Sequence, residues 1–230
     1  MLRKIGLLIN KYLYIFMHNL FLWVEYVFKT SHNYQPKSFK NNNKGRLTQD
    51  RYEALISHID MPISMIDLGC NRGFFVLKMA KKGCFSIGID SDFFEIIAAR
   101  SMAQKYGFDK ALFMKAYIDI DFVKLMPNAD LIICTSIFHH WVRLMGKNKA
   151  FKLMKLIATK TNKYLLFETG QYNEIDTKWH KDLDFMGDNP KKWIKDFLIE
   201  LDFTNILELG DYKTTVSEIK RTLFLCEKRR

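Results

Sequence analysis

Residues Met65–Asp92 read MIDLGCNRGFFVLKMAKKGCFSIGIDSD, and this stretch decides the fold. An apolar run, Ile63–Leu68, carries Asp67 near its end, and a turn with Gly69, Asn71 and Gly73 follows. Phe74–Lys82 then reads as a helix, and a second apolar run, Cys84–Ile89, leads into Asp90. Strand, glycine-rich turn, helix and strand make the unit of a parallel sheet. Gly69 and Gly73 let backbone approach a ligand closely, and Asn71 tolerates a positive φ better than most residues. Such a turn lies at the carboxyl edge of the sheet, where open α/β folds bind ligands. Asp90 ends the neighbouring strand, where its carboxylate can accept both hydroxyls of a ribose.

The same alternation extends outward in both directions. Leu47, Tyr52, Leu55, Ile56 and Ile59 suit a short amphipathic helix that Thr48 can cap. Beyond Asp90 the pattern predicts a helix over Asp92–Tyr106 and strands over Ala111–Ile118 and Ala129–Thr135. It continues with a helix over Lys147–Thr159, a strand over Tyr164–Phe167 and a helix over Pro190–Leu201. Strands at Thr204–Leu209 and Arg221–Cys226 close the chain with no helix-length segment between them, so that pair is expected to be antiparallel. The prediction is an α/β fold with a Rossmann-like, seven-stranded, mostly parallel sheet and an antiparallel C-terminal pair. A dinucleotide fingerprint needs G-x-G-x-x-G, and Gly69 and Gly73 do not match that spacing.

These features resemble the class I S-adenosylmethionine-dependent methyltransferases, over roughly Leu47–Lys228. The resemblance implies S-adenosyl-L-methionine as the cofactor, held by Asp67, Gly69, Asn71, Gly73 and Asp90, with Cys70, Ser91 and Ser136 completing the donor set. The family's commonest turn has glycine where Asn71 stands. Asp119, after the third strand, matches the acid that binds the adenine amino group, with Asp121 as its rival. Asp130 opens the fourth strand in the family's manner, and that strand delivers Ser136, Ile137, Phe138, His139, His140 and Trp141 to the active edge.

Catalytic candidates come from that edge. An alcohol attacking a methyl sulfonium benefits from a base of near-neutral pKa, which His140 or its neighbour His139, expected on a loop, can offer. Either histidine can instead be a packed wall of the donor pocket. Glu168, ending the Tyr164–Phe167 strand, is expected at the same cleft edge, orienting a histidine, accepting a substrate hydroxyl or standing as a simple strand-end charge. No Asp, Glu or His partner stands at a recognisable ligand spacing, so no metal is expected. The long connection Gln171–Lys195, with Trp179, His180, Asp182, Asp184 and Trp193, suits a lid or sugar-facing wall, or a local mini-core.

Composition narrows the function class. The 230 residues are 48% hydrophobic and 27% charged, enough to bury a core and unlike a disordered tail. The four cysteines, Cys70, Cys84, Cys134 and Cys226, form no C-x-x-C pair, which excludes a thiolate zinc knuckle and points to reduced, buried thiols. Of the net charge of +11, residues 1–49 carry +7, with eight Lys or Arg and the single acid Glu25. Residues 5–28 are largely apolar, with polar groups recurring about every seven residues as one stripe. The charge-free run Tyr12–Val24 is 13 residues, short of a bilayer span, so a helix lying in the interface is expected, or one packed on its own domain or on a partner subunit.

The expected organisation is an amphipathic helix over 1–29, a basic linker over 30–46 and a methyltransferase domain over 47–230. The expected activity is O-methylation of a membrane-associated acceptor, a lipid-linked saccharide or cell-surface glycan. The expected location is cytoplasmic, peripheral on the inner face of the cytoplasmic membrane, with an anionic membrane surface as partner. An RNA methyltransferase is the alternative enzyme, although no RNA-binding module accompanies the basic charge. A non-catalytic donor-binding scaffold is the alternative of another class, opposed by the intact Asp67, Gly69, Gly73 and Asp90 set.

Overall fold

The computed structural model describes residues 48–228. The expectations for residues 1–46 lie outside the described residues. In chain order the elements are α1 (Thr48–Ile56), β1 (Ser64–Leu68), α2 (Phe74–Lys81), β2 (Phe85–Asp90), α3 (Phe93–Tyr106), β3 (Ala111–Lys115) and α4 (Ile120–Leu125). Then follow β4 (Ala129–Thr135), α5 (Phe138–Met145), α6 (Lys147–Lys160), β5 (Thr161–Glu168), a 3₁₀ helix (His180–Met186), α7 (Pro190–Glu200), β6 (Phe203–Tyr212) and β7 (Arg221–Lys228).

The strands form one seven-stranded sheet in the order β3-β2-β1-β4-β5-β7-β6. The first five pair in parallel, and β7 pairs antiparallel to both β5 and β6. The order reverses at β1, which has β2 on one side and β4 on the other. A crevice therefore opens between the carboxyl ends of β1 and β4, the switch point at which such sheets bind ligands. Asp130 secures this pairing at the opposite end, where its Oδ2 accepts the backbone N–H groups of Ile63 (2.9 Å) and Ser64 (3.3 Å).

Both faces of the sheet are covered, which explains why its central strands read as continuous apolar runs. Met65, Leu131, Ile133, Leu166 and Leu225 point to the side packed by α1, α2 and α3. Ile66, Ile132, Leu165, Phe167 and Phe224 point to the side packed by α4 to α7. The four cysteines are buried, reduced thiols, and burial pushes each thiol pKa up.

Two expectations are corrected, and a third segment takes one of its two expected forms. The third strand ends at Lys115 rather than Ile118, because the chain turns into α4, whose N-cap Asp119 accepts the Phe122 N–H (2.8 Å). The segment carrying His139 and His140 is a helix, α5, not a loop. The Gln171–Lys195 connection contains a 3₁₀ helix and serves two ends. Trp193 joins Phe151, Phe185 and Phe197 in a mini-core, whereas Trp179 packs against the two histidines.

Candidate active site

A cavity of about 610 Å³ occupies the crevice at the switch point, within the range of small-molecule sites. Gly69, Asn71, Asp90 and Ser91 line it from the β1 and β2 ends, and Asp119 lines it from the end of the β3 connection. Ser136, Ile137 and His140 line it from the β4 end. Residues separated by more than seventy positions in sequence thus meet in one crevice.

The turn after β1 is held by Asp90. Its Oδ2 accepts the Asn71 N–H (2.8 Å) and its Oδ1 accepts the Asp92 N–H (2.9 Å), so the carboxylate is fixed before any ligand arrives. Each oxygen keeps a further lone pair, enough for two hydroxyls. Asn71 adopts φ 49° and Gly69 φ 77°. A Cβ on Gly69 would stand 2.6 Å from Ile137 Cδ1, so the glycine also allows the β1 and β4 turns to close on each other.

Other expected donor residues sit elsewhere. The space that a Cβ on Gly73 would fill belongs to the Phe113 ring, and Gly73 lies outside the cavity lining. Asp67 and Cys70 are buried in the β1 end and lie outside the cavity lining. Of the rival acids, Asp119 lines the cavity, whereas Asp121 pairs with Lys124 (2.8 Å) on the surface.

The catalytic candidates separate as well. His140 lines the cavity from the first turn of α5. Desolvation by surrounding protein, and then the positive charges of Arg221 and Arg143, hold its pKa below the usual histidine value. His140 is therefore neutral, and able to take a proton, at neutral pH. His139 turns inward and is buried, its Nδ1 accepting the Gly170 N–H (2.9 Å) and lying 3.2 Å from Thr169 Oγ1. Glu168 is corrected from the cleft edge to the interior: it is 0% exposed, lies outside the cavity lining and pairs with Arg51 (2.7 Å). Its other oxygen accepts the Ser136 hydroxyl (2.9 Å).

A methyltransferase domain family matches residues 59–211. The chain belongs to this family. Its sheet order, antiparallel closing strand and crevice at the switch point are those of the class I S-adenosylmethionine-dependent methyltransferases. Two curated relatives, both O-antigen chain terminator bifunctional methyltransferase/kinase WbdD of Escherichia coli, are 27% identical over 194 and 190 residues. Those alignments cover 82% of this chain and 25% of each relative, so the chain spans a quarter of their length. A crystal structure of WbdD superposes with a TM-score of 0.64 at 26% identity, covering 79% of this chain and 39% of that one. The magnesium protoporphyrin IX methyltransferase ChlM of Synechocystis PCC 6803, crystallised with bound SAM, shares the fold, with a TM-score of 0.58 at 16% identity. That alignment covers 79% of this chain and 77% of ChlM.

Beneath the methyltransferase crevice lies a buried ionic chain that sequence reasoning missed. Arg51 of α1 pairs with Glu168, and the Ser136 hydroxyl, bonded to Glu168, also accepts from Arg221 Nη1 (3.1 Å). Arg221 then forms a two-pronged pair with Glu174, Nε to Oε1 at 2.7 Å and Nη2 to Oε2 at 2.6 Å. Arg51, Glu168, Glu174 and Arg221 are fully buried, and nothing in the local sequence of Arg51, Glu174 or Arg221 distinguishes them from ordinary surface charges.

Proposed function

We propose that this domain transfers the methyl group of S-adenosylmethionine to a hydroxyl oxygen of a saccharide, with His140 as the general base. One observation carries the proposal: the His140 ring and the Asp90 carboxylate line the same cavity. The cavity suits the donor, having a fixed carboxylate for ribose hydroxyls, Asp119 for a ring amino group and the apolar Ile118, Ile137 and Met145 for adenine and methylene surface. The bound sulfonium would supply an electrophilic methyl group. His140 accepts the acceptor's hydroxyl proton as the new O–C bond forms, a contribution of about 10²–10⁴-fold in general-base catalysis. The proton then passes to solvent at the exposed edge of the ring.

Two observations favour a saccharide. The WbdD relatives act as O-antigen chain terminators by name. Trp179 beside His140 (ring centroids 5.4 Å) also offers an aromatic surface of the kind that packs against sugar rings. The apolar and basic composition of residues 1–46 supports an acceptor held at an anionic membrane, presented as a lipid-linked saccharide. The test is incubation of the full chain with methyl-labelled donor and a membrane extract, followed by separation of lipid-linked saccharide, RNA and protein. Label in the saccharide fraction is expected, and label confined to RNA would overturn the proposal.

A further inference from the structure

The charged members of the ionic chain lie outside the cavity lining, yet the chain meets the catalytic edge at two points. The first is Ser136, which lines the cavity with φ 57°, a left-handed conformation that costs a non-glycine residue energy and persists only where its surroundings hold it. Here the hold comes from below. The Ser136 hydroxyl donates to Glu168 and accepts from Arg221, and its N–H donates to the Glu168 carbonyl (2.7 Å). The second point is Trp179, whose ring lies 5.5 Å from the Arg221 guanidinium carbon and packs on both His139 (4.4 Å) and His140 (5.4 Å). Glu174 keeps Arg221 in place through both prongs and also accepts the Gln171 N–H (2.9 Å), which ties the start of the post-β5 connection to the same pair.

We propose that Arg221, with Glu174 as its counter-ion, is a positioning residue for methyl transfer: it pins Ser136 from beneath and Trp179 from the side, and so fixes the His140 ring at the cavity mouth. This rests on His140 as the base. Sequence separation conceals the arrangement, because Arg221 lies 85 positions from Ser136 and 47 from Glu174. The chemistry favours arginine over lysine, since a planar fork can hold a carboxylate with two N–H groups and still present a third to a hydroxyl.

The groups that bear on the His140 ring are His139 and Arg143 on α5, Arg221 on β7, and Asp182 of the 3₁₀ helix, which pairs with Arg143 (3.4 Å). Asp90 and Asp119 share the cavity. Arg221 and Arg143 oppose protonation of the ring, so removing the Arg221 charge raises the pH at which His140 titrates.

The experiment uses the full chain loaded with S-adenosylhomocysteine and follows the His140 ring by NMR, assigned through its loss in His140→Ala. Arg221→Gln leaves Glu174 buried without this counter-charge and can fail to fold, so Arg221→Gln/Glu174→Gln, which removes both charges, is made beside it. The double variant should fold, bind S-adenosylhomocysteine within threefold of the parent, titrate His140 at higher pH and lose its ring contacts to Trp179. Its initial rate on the lipid-linked saccharide fraction should fall about 10- to 100-fold. An unchanged His140 titration and rate would overturn the positioning role, as would a loss of S-adenosylhomocysteine affinity in proportion to rate. The base assignment fails separately if His140→Ala transfers methyl at the parent rate; the positioning role fails alone if His140→Ala is slow while the double variant is normal.

Discussion

Replacing Arg51 by methionine tests whether the interior of this domain depends on charge pairing. The Arg51 and Glu168 side chains are 1% and 0% exposed and meet at 2.7 Å, 117 positions apart in sequence. Methionine restores most of the apolar stem but removes the guanidinium, with its contacts to Glu168, the Lys213 carbonyl (3.3 Å) and the Tyr212 ring (4.6 Å). Glu168 keeps the Ser136 hydroxyl but loses the Arg51 counter-charge in a site from which water is excluded. Breaking one side of a buried pair costs about 3–5 kcal/mol. At roughly 2–4 °C per kcal/mol for a domain of this size, the midpoint should drop by about 10 °C. The assays are thermal unfolding for the midpoint and urea unfolding at equal m-value for the free energy, run beside Arg51→Met/Glu168→Leu. The double variant should recover most of the loss, since replacing both charges by apolar groups is often neutral or stabilising. A loss below about 1 kcal/mol in Arg51→Met, the size of a surface pair, would refute the reasoning.

Asp90→Ala should weaken S-adenosylhomocysteine binding by at least about 100-fold in calorimetry, because two charge-assisted hydrogen bonds are worth about 1.5–3 kcal/mol each; unchanged affinity would remove Asp90 from the donor site. Gly69→Val should also weaken it, since its Cβ would meet Ile137 Cδ1 at 2.6 Å on a backbone with φ 77°; parent affinity would show that Ile137 yields without disturbing the pocket. His140 is a base only when neutral, and its pKa lies below the usual 6.5, so the transfer rate should fall on an acid limb below that pH and be flat at neutrality; a limb centred above 6.5 would point to another base. Removing residues 1–46 should release the protein from anionic vesicles while leaving S-adenosylhomocysteine binding intact. Binding of the full chain should weaken with salt without vanishing, each basic residue near the surface contributing about 1 kcal/mol; a fragment that loses S-adenosylhomocysteine binding would show that the segment belongs to the domain core.

The sheet was legible because each strand is a short apolar run bounded by turn residues, and the cavity-lining turn because Gly69, Asn71 and Asp90 sit at a telling spacing. Helix α5 was not. Its N-cap is Ile137, which makes no side-chain capping bond, and its His-His-Trp core lacks the usual start signal. Helix α4 does carry a signal, Asp119 ahead of an apolar run, and the same residue both caps Phe122 and lines the cavity. Arg51, Glu174 and Arg221 were invisible for a deeper reason. A charged residue is surface-bound by default, and only the fold reveals which distant partner makes burial tolerable.

The cysteines have a consequence for how the domain comes apart. Cys70 lies in the turn after β1, Cys84 at the entry to β2, Cys134 in central β4 and Cys226 in the last strand. All four thiols are buried and biased against ionisation, so an alkylating reagent reaches each only when its own neighbourhood opens. Their modification rates form a four-point clock of local opening across the sheet. Ligand in the crevice should slow Cys70 most if the donor turn opens separately, and slow all four equally if the domain opens only as a whole.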